Sequence, residues 1–234
     1  MNIQEDIKIY ALENNIPLLG FSDLAPAMDY LCTTGGEEMK QYPYCITLGM
    51  VLPQPIMKNI KEEYDHMAVL QYLYAYQAAN SVLGNAAFSI ANNLESEGYL
   101  ALPIGPAVFD RKKLTTNYSH KIGARLSGLG WIGKSGMLIT EEYGSRVRFA
   151  SVLTNAPMET YKGEPMKSKC GNCTACVDAC PVKAYKNREF DPAEPIEMRF
   201  DTAACNAHLR WMEDNGMIDL CGLCITACPH SKKK

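Results

Sequence analysis

The sequence predicts an α+β fold in which an α/β-like domain over residues 1–157 precedes a small cysteine-rich module over 158–234. Three observations carry this reading. Helical and extended patterns alternate through the first part of the chain, as mixed helix and sheet layers require. Hydrophobic residues make up 47% and charged residues 21% of the 234, which supports a sizeable core. Eight of the ten cysteines lie between Cys170 and Cys228, after a polar stretch with two prolines at 155–169 that reads as a connector.

The elements follow in order. Ile3, Ile7, Tyr10 and Ala11 recur at helical spacing and predict an amphipathic helix. Residues 17–22 and 45–53 read as strands. Residues 64–97 read as a long helix, with Leu83, Ala87, Ile90 and Leu94 forming a buried stripe. Gly84 is placed to kink or divide that helix, and Gly98 to stop it. A short strand is expected within 99–108 and a helix over 118–127. Residues 137–154 alternate across the turn residues EEYG and predict a β-hairpin. In the cysteine-rich module one helix is expected, capped by Asp201 and ended by Gly216.

Composition excludes some function classes. No apolar run reaches the length of a membrane span, so no membrane role is expected. The N-terminus MNIQEDIKIY lacks the basic-then-apolar pattern of a signal peptide, so a cytoplasmic location is expected. The net charge of −3 argues against a broadly basic nucleic-acid surface.

The cysteines carry the chemistry. Cys170, Cys173, Cys176 and Cys180, the last followed by Pro181, form C-x2-C-x2-C-x3-C-P, the run found in bacterial ferredoxins. Cys205, Cys221, Cys224 and Cys228, followed by Pro229, repeat its ending with the first cysteine displaced upstream. In two-cluster ferredoxins the fourth cysteine of each run serves the other cluster. By that rule Cys170, Cys173, Cys176 and Cys228 hold one [4Fe–4S] cluster, and Cys180, Cys205, Cys221 and Cys224 hold the second. Zinc and disulfides are the alternatives, and zinc leaves the two Cys-Pro endings unexplained. With each cluster and its thiolates at about −2, the net charge falls to roughly −7, which suits a basic or neutral redox partner. Cys32 and Cys45 read as ordinary buried residues. His66, His208 and His230 have no ligating spacing.

Residues 128–135, GLGWIGKS, fit both the phosphate loop and the dinucleotide turn. Both need a strand before and a helix after. Here a helix precedes and a strand follows, so ATP and NAD are rejected. Two readings remain open. Gly128, Leu129, Gly130, Trp131, Gly133, Lys134 and Ser135 line a flat cofactor that the backbone approaches closely, or they form a tight turn around a core tryptophan.

GLGWIGK (128–134), LIT (138–140), EYGS (142–145), VLTNAP (152–157) and CGNCTACVDACP (170–181) together resemble the epoxyqueuosine reductase family. Order and spacing match over about 118–229, and the first 117 residues match by element order alone. The resemblance implies a cobalamin-binding type of N-terminal domain joined to a two-cluster ferredoxin-like module, an arrangement that family shares with reductive dehalogenases. It implies a corrinoid floored by the 128–135 loop and the 137–154 hairpin. Two departures stand out. Where the family has a catalytic Asp this chain has Leu114, and the family's Glu-Arg is His120-Lys121. The helical-repeat domain that helps longer members hold tRNA has no counterpart after Pro229, so a shortened paralogue with a smaller substrate than tRNA is expected.

The expected function is a cobalamin-dependent reductase. It would take electrons from a low-potential donor such as a ferredoxin or flavodoxin, pass them through two clusters to a corrinoid, and reduce a small molecule. Tyr118 and His120 are the candidate proton donors, with Asp110 a third candidate that also reads as a solvated turn residue. The alternative is an electron-transfer or corrinoid-handling protein with no substrate of its own.

Overall fold

The computed structural model describes residues 3–110, 112 and 114–232. The chain forms two compact units. The first comprises Met1–Val51, Ala78–Leu129 and Arg148–Met166; the second comprises Leu52–Gln77, Gly130–Val147 and Lys167–Lys234. The division is thus spatial, not a single cut near residue 157. Residues 52–77 and 130–147 pack with the cysteine-rich segment.

Helix α1 (Ile3–Glu13) leads into strand β1 (Leu18–Asp23), then α2 (Met28–Gly35) and β2 (Tyr44–Val51). A short helix α3 (Gln54–Lys58) precedes α4 (His66–Ser96), after which come β3 (Ala101–Ile104) and α5 (His120–Leu126). Helix α4 is continuous, so Gly84 does not divide it. The i→i−4 ladder tolerates one glycine at a cost of about 1 kcal/mol, which the buried stripe on either side outweighs. Strands β4 (Trp131–Ile132), β5 (Leu138–Ile139) and β6 (Val147–Thr154) follow. The cysteine-rich segment holds α6 (Ala175–Asp178), α7 (Thr202–Asp214) and α8 (Leu223–Thr226).

The first unit is built on a four-stranded sheet in the order β1-β2-β6-β3. Strands β1 and β2 are antiparallel, as are β3 and β6. Alternate side chains leave opposite faces of a strand, and both faces are covered. On one, Ile46, Leu48, Ala150 and Val152 pack with Ile7 and Ala11 of α1 and with Leu83, Ala87, Ile90 and Leu94 of α4. On the other, Cys45 and Leu153 pack with Leu24, Leu31, Met39 and Tyr118.

The expected 137–154 hairpin does not form. β5 pairs with β4 in a separate two-stranded sheet, while β6 lies between β2 and β3. The alternation read in β6 conceals a strand whose residues Phe149–Thr154 are all buried. Such a strand needs partners along both edges, and the two-residue β5 is too short to supply one. The EEYG turn does form, closed by the Thr140–Gly144 bridge.

In the second unit, α7 begins where the sequence places its cap. Asp201 Oδ1 accepts from the Ala204 amide at 2.8 Å, satisfying one of the unpaired amides of the first turn. Gly216, at φ 73°, follows the helix end. Among the described residues no helix is long and apolar enough to cross a membrane.

Candidate functional site

Helices α6 and α8 are single turns that carry Cys176 and Cys224, one from each run. The two runs lie beside one another, since Cys224 of the second feels Cys176 of the first. Cys176 feels the charges of Cys170, Cys228 and Cys173, whereas Cys205 feels those of Cys221 and Cys180. Burial, with the neighbouring thiols adding to it, pushes Cys176 and Cys205 up to about 11. Burial pushes Cys224 up to about 12. In the absence of metal these thiols are neutral, and a bound metal must displace their protons. Among the described residues no three His, Cys, Asp or Glu side chains are set as the shell of a single metal ion.

Neighbours of the second set are apolar or weakly polar. The Ala184 amide donates to Cys180 Sγ at 3.3 Å. Tyr185 is buried, stacks on Phe200 at 5.0 Å and hydrogen-bonds Cys224. Burial, then the adjacent thiols, push the Tyr185 phenol far above its usual range. Neither Ala184 nor Tyr185 belongs to a motif that sequence reading recognises.

Neighbours of the first set are different. The turn at Gly133–Gly136 closes with Gly136 N donating to Gly133 O at 2.8 Å, and Gly133 N donating to Met137 O at 2.9 Å. No helix follows, so the glycines do not open a phosphate site. Gly130 lacks a Cβ because one would stand 2.2 Å from Ile139 O, and at Gly133 one would meet Ile139 Cδ1 at 2.4 Å and Cys170 Sγ at 3.2 Å. The turn therefore lies against the first cysteine loop. Lys134 reaches into that loop. It is 7% exposed, and its Nζ donates to Gly171 O at 2.7 Å and to Cys173 O at 3.3 Å.

The rest of GLGWIGKS is placed as follows. Gly128 and Leu129 are half-buried in the first unit, and Gly130 through Ser135 are buried in the second. Trp131 is 1% exposed. His230 meets its ring edge-on at 5.0 Å, and Lys169 Nζ sits 5.5 Å from the ring centre. Its indole is a core residue rather than an open platform, though Nε1 is buried with no hydrogen-bond partner among the described residues. Ser135 is buried in the turn, where Oγ accepts weakly from Met137 N at 3.4 Å.

After Cys228 the chain is fastened to the β5–β6 turn. Ser145 N donates to Ser231 Oγ at 3.0 Å, and buried Arg146 donates through Nε to Ser231 O at 3.0 Å and through Nη1 to Leu52 O at 2.9 Å.

Tyr118 and His120, the expected proton donors, do come together, in the first unit. Tyr118 is 2% exposed. Its hydroxyl donates to Cys45 Sγ and accepts from Gly123 N, both at 3.1 Å. His120 Nε2 lies 3.1 Å from Gly105 O, a carbonyl that only accepts, so this nitrogen carries the proton. Nδ1 then accepts from Ser151 Oγ at 2.9 Å. Desolvation lowers His120 to about 4, with Arg148 and Lys121 pushing the same way against the Gly105 bond. Ser151 also hydrogen-bonds Tyr118 and Cys45. Cys45 is therefore part of a polar network, which its sequence context did not signal. Asp110 is exposed, and its Oδ1 accepts from Lys112 N, as a turn residue does. Leu114 has φ 53° in the turn bridged by Asp110 and Thr115.

Known proteins resemble this chain in sequence and in fold. Residues 169–231 match the family model described as a 4Fe-4S double cluster binding domain. An epoxyqueuosine reductase of Gloeobacter violaceus is 37% identical over 120 residues, covering 48% of this chain and 35% of that protein. One from Atelocyanobacterium thalassa is 35% identical over 117 residues, covering 49% and 38%. The matches thus span little more than a third of these curated relatives. Among solved structures, epoxyqueuosine reductase from Streptococcus thermophilus covers all of this chain at TM-score 0.57 and 17% identity, the match taking in 67% of that structure. A catabolic reductive dehalogenase gives TM-score 0.74 at 18% identity over 98% of this chain and 32% of its own. The chain is similar to the epoxyqueuosine reductases in sequence over about half its length and in fold over nearly all of it.

Proposed function

We propose that the chain is an iron–sulfur reductase of the epoxyqueuosine reductase type that acts with a corrinoid on a small molecule. The observation that carries this is the match of residues 169–231 to a double-cluster domain, and the charges of Cys228 on Cys176 and of Cys180 on Cys205 support the pairing. Cys170, Cys173, Cys176 and Cys228 would hold the first cluster, and Cys180, Cys205, Cys221 and Cys224 the second. The clusters supply one-electron transfer from a donor such as a ferredoxin or flavodoxin, and the corrinoid supplies the strongly reducing centre.

The corrinoid reading draws on the resemblance and on one solved neighbour, a reductive dehalogenase described with a mechanism for B12-dependent dehalogenation. Of the GLGWIGKS residues, Gly128 and Leu129 would meet a ligand, because they are the half-buried ones, whereas Trp131 is 1% exposed and its Nε1 is buried with it. Lys134 is committed to the cysteine loop instead. Tyr118 and His120 act in this reading as positioning residues. His120 is neutral at pH 7 and accepts at Nδ1, so Ser151 holds a proton between it and Tyr118.

A second reading, an electron carrier or corrinoid handler without a substrate, is favoured by Leu114. It stands where the resemblance expects a catalytic Asp. Another solved neighbour is an epoxyqueuosine reductase with a tRNA stem loop, so a modified tRNA belongs among the substrates screened.

Anaerobic reconstitution tests these readings. About eight iron per chain supports two clusters. A changed EPR spectrum on adding cob(II)alamin supports the corrinoid, and an unchanged one leaves the carrier. Zinc in place of iron overturns the proposal.

A further inference from the structure

We propose that Lys134 is the counter-cation of the first cluster and holds its reduction potential above that of the second. The inference rests on the cysteine assignment proposed above.

Burying an ammonium costs several kcal/mol unless an opposite charge compensates it. Lys134 is 7% exposed, and among the described residues no carboxylate lies within ion-pair distance of it. Its partners are the carbonyls of Gly171 and Cys173, which supply dipoles but no charge. Both carbonyls belong to the loop carrying Cys170 and Cys173. The Gly133 backbone approaches so closely that a Cβ there would lie 3.2 Å from Cys170 Sγ. A [4Fe–4S] cluster with four thiolates, at about −2, is the anion this environment calls for. The Gly-Lys pair that mimics a phosphate loop thus has its own logic. Glycine permits the approach, and lysine brings the charge.

The two sets are unequal in this respect. Among the described residues of the second unit, the buried charged side chains are Lys134 and Arg146. Lys134 binds the Cys170–Cys173 loop, and Arg146 binds the carbonyl of Ser231, three residues past Cys228. Both segments belong to the first set. The second set is bordered by Ala184, Tyr185 and Phe200. Nearby Lys183 is exposed, with Nζ on Asp178 O at 2.7 Å, where water screens it. Reduction adds one negative charge to a cluster, so a fixed buried cation favours the reduced form and raises the potential. An electron delivered to the second cluster by a low-potential one-electron donor therefore settles on the first.

The test is a potentiometric titration of reconstituted protein followed by EPR, with iron and sulfide measured on every sample. Cys221→Ser, which removes a ligand of the second set, assigns the step belonging to the first cluster. Lys134→Gln is expected to move that step to more negative potential and leave the other in place, while Lys134→Arg keeps the wild-type value. Loss of the first cluster in Lys134→Gln with retention in Lys134→Arg also supports a required charge. The inference is overturned if Lys134→Gln keeps full iron and both steps stay unmoved, or if Lys134→Arg shifts the step as far as Lys134→Gln. Wild-type protein that takes up no iron overturns the cluster assignment itself, an outcome read before any variant is compared.

Discussion

The hydroxyl of Tyr118 donates to Cys45 Sγ across 73 residues of sequence, at 3.1 Å, and the amide of Gly123 closes on the same oxygen. The contact joins α5 to the face of β2 that carries Cys45 and Thr47. Tyr118→Phe keeps the ring and removes the oxygen, so the Gly123 amide is left buried without its acceptor. The expected loss is about 1–3 kcal/mol in urea unfolding. Burial also raises the Cys45 thiol, so Cys45 should resist iodoacetamide in the native protein and react once urea unfolds it. Rapid alkylation of native protein at Cys45 would contradict the buried network.

His120 predicts a pH dependence with a definite sign. Its folded value is about 4 against an ordinary 6.5. The unfolded chain therefore binds a proton that the folded chain refuses. The stabilising contribution is fully present above pH 6.5 and is lost as pH falls toward 4. The ring is only partly buried, so the full shift is discounted to about 2 kcal/mol. His120→Gln should flatten this part of the stability profile between pH 4 and 6.5. An equally steep profile in the variant would assign the dependence to other groups.

The helices and the cysteine pattern were legible because each is a local signal. The stripe of Leu83, Ala87, Ile90 and Leu94 is buried in the first unit, and Asp201 caps α7. What escaped the sequence depends on pairing between distant segments. β6 alternates in sequence yet is buried on both faces, because β2 and β3 place it inside the sheet and a core cluster covers each face. Lys134 belongs to a phosphate-loop pattern yet binds a loop 37 residues downstream. The Ser151 network joins residues from β2, β6 and the start of α5, none of them within a shared motif. Trp131 was legible as a functional or core residue, and only its burial separates the two.

The interleaved assignment of the cysteines makes an unequal prediction for neighbours in sequence. Under it Cys224 and Cys228, four residues apart, fall in different sets. Cys224→Ser should remove the second cluster and Cys228→Ser the first, each leaving about four iron per chain. The two residual EPR spectra should differ from each other. Paired losses that follow sequence order, with Cys228→Ser and Cys221→Ser leaving the same spectrum, would refute the interleaving.

Two glycines separate packing from propensity. Gly144 has φ 62°, and a Cβ there would stand 2.3 Å from Ser231 N. Gly144→Ala should cost about 1–2 kcal/mol from the left-handed backbone alone, and more from displacing the segment after Cys228. Gly84 sits within α4, where an added Cβ meets only Pro106 Cδ at 4.0 Å. Gly84→Ala should therefore stabilise the protein by about 0.5–1 kcal/mol. Thermal melts of the two variants should move in opposite directions.

Leu114 separates the reductase reading from the carrier reading. A leucine at φ 53° occupies a conformation that its side chain disfavours by about 1 kcal/mol. Asn and Asp tolerate that conformation, so Leu114→Asn and Leu114→Asp should both raise stability modestly. Only Asp adds a proton-carrying group at the position where the resemblance expects one. If the chain reduces a substrate with its proton supply weakened, Leu114→Asp should accelerate turnover of an epoxide-bearing substrate by on the order of a hundredfold, and Leu114→Asn should not. If the chain only carries electrons or a corrinoid, the two variants should match each other in stability and show no turnover. The comparison of Asp with Asn removes the backbone effect, so any difference between them belongs to the carboxyl group.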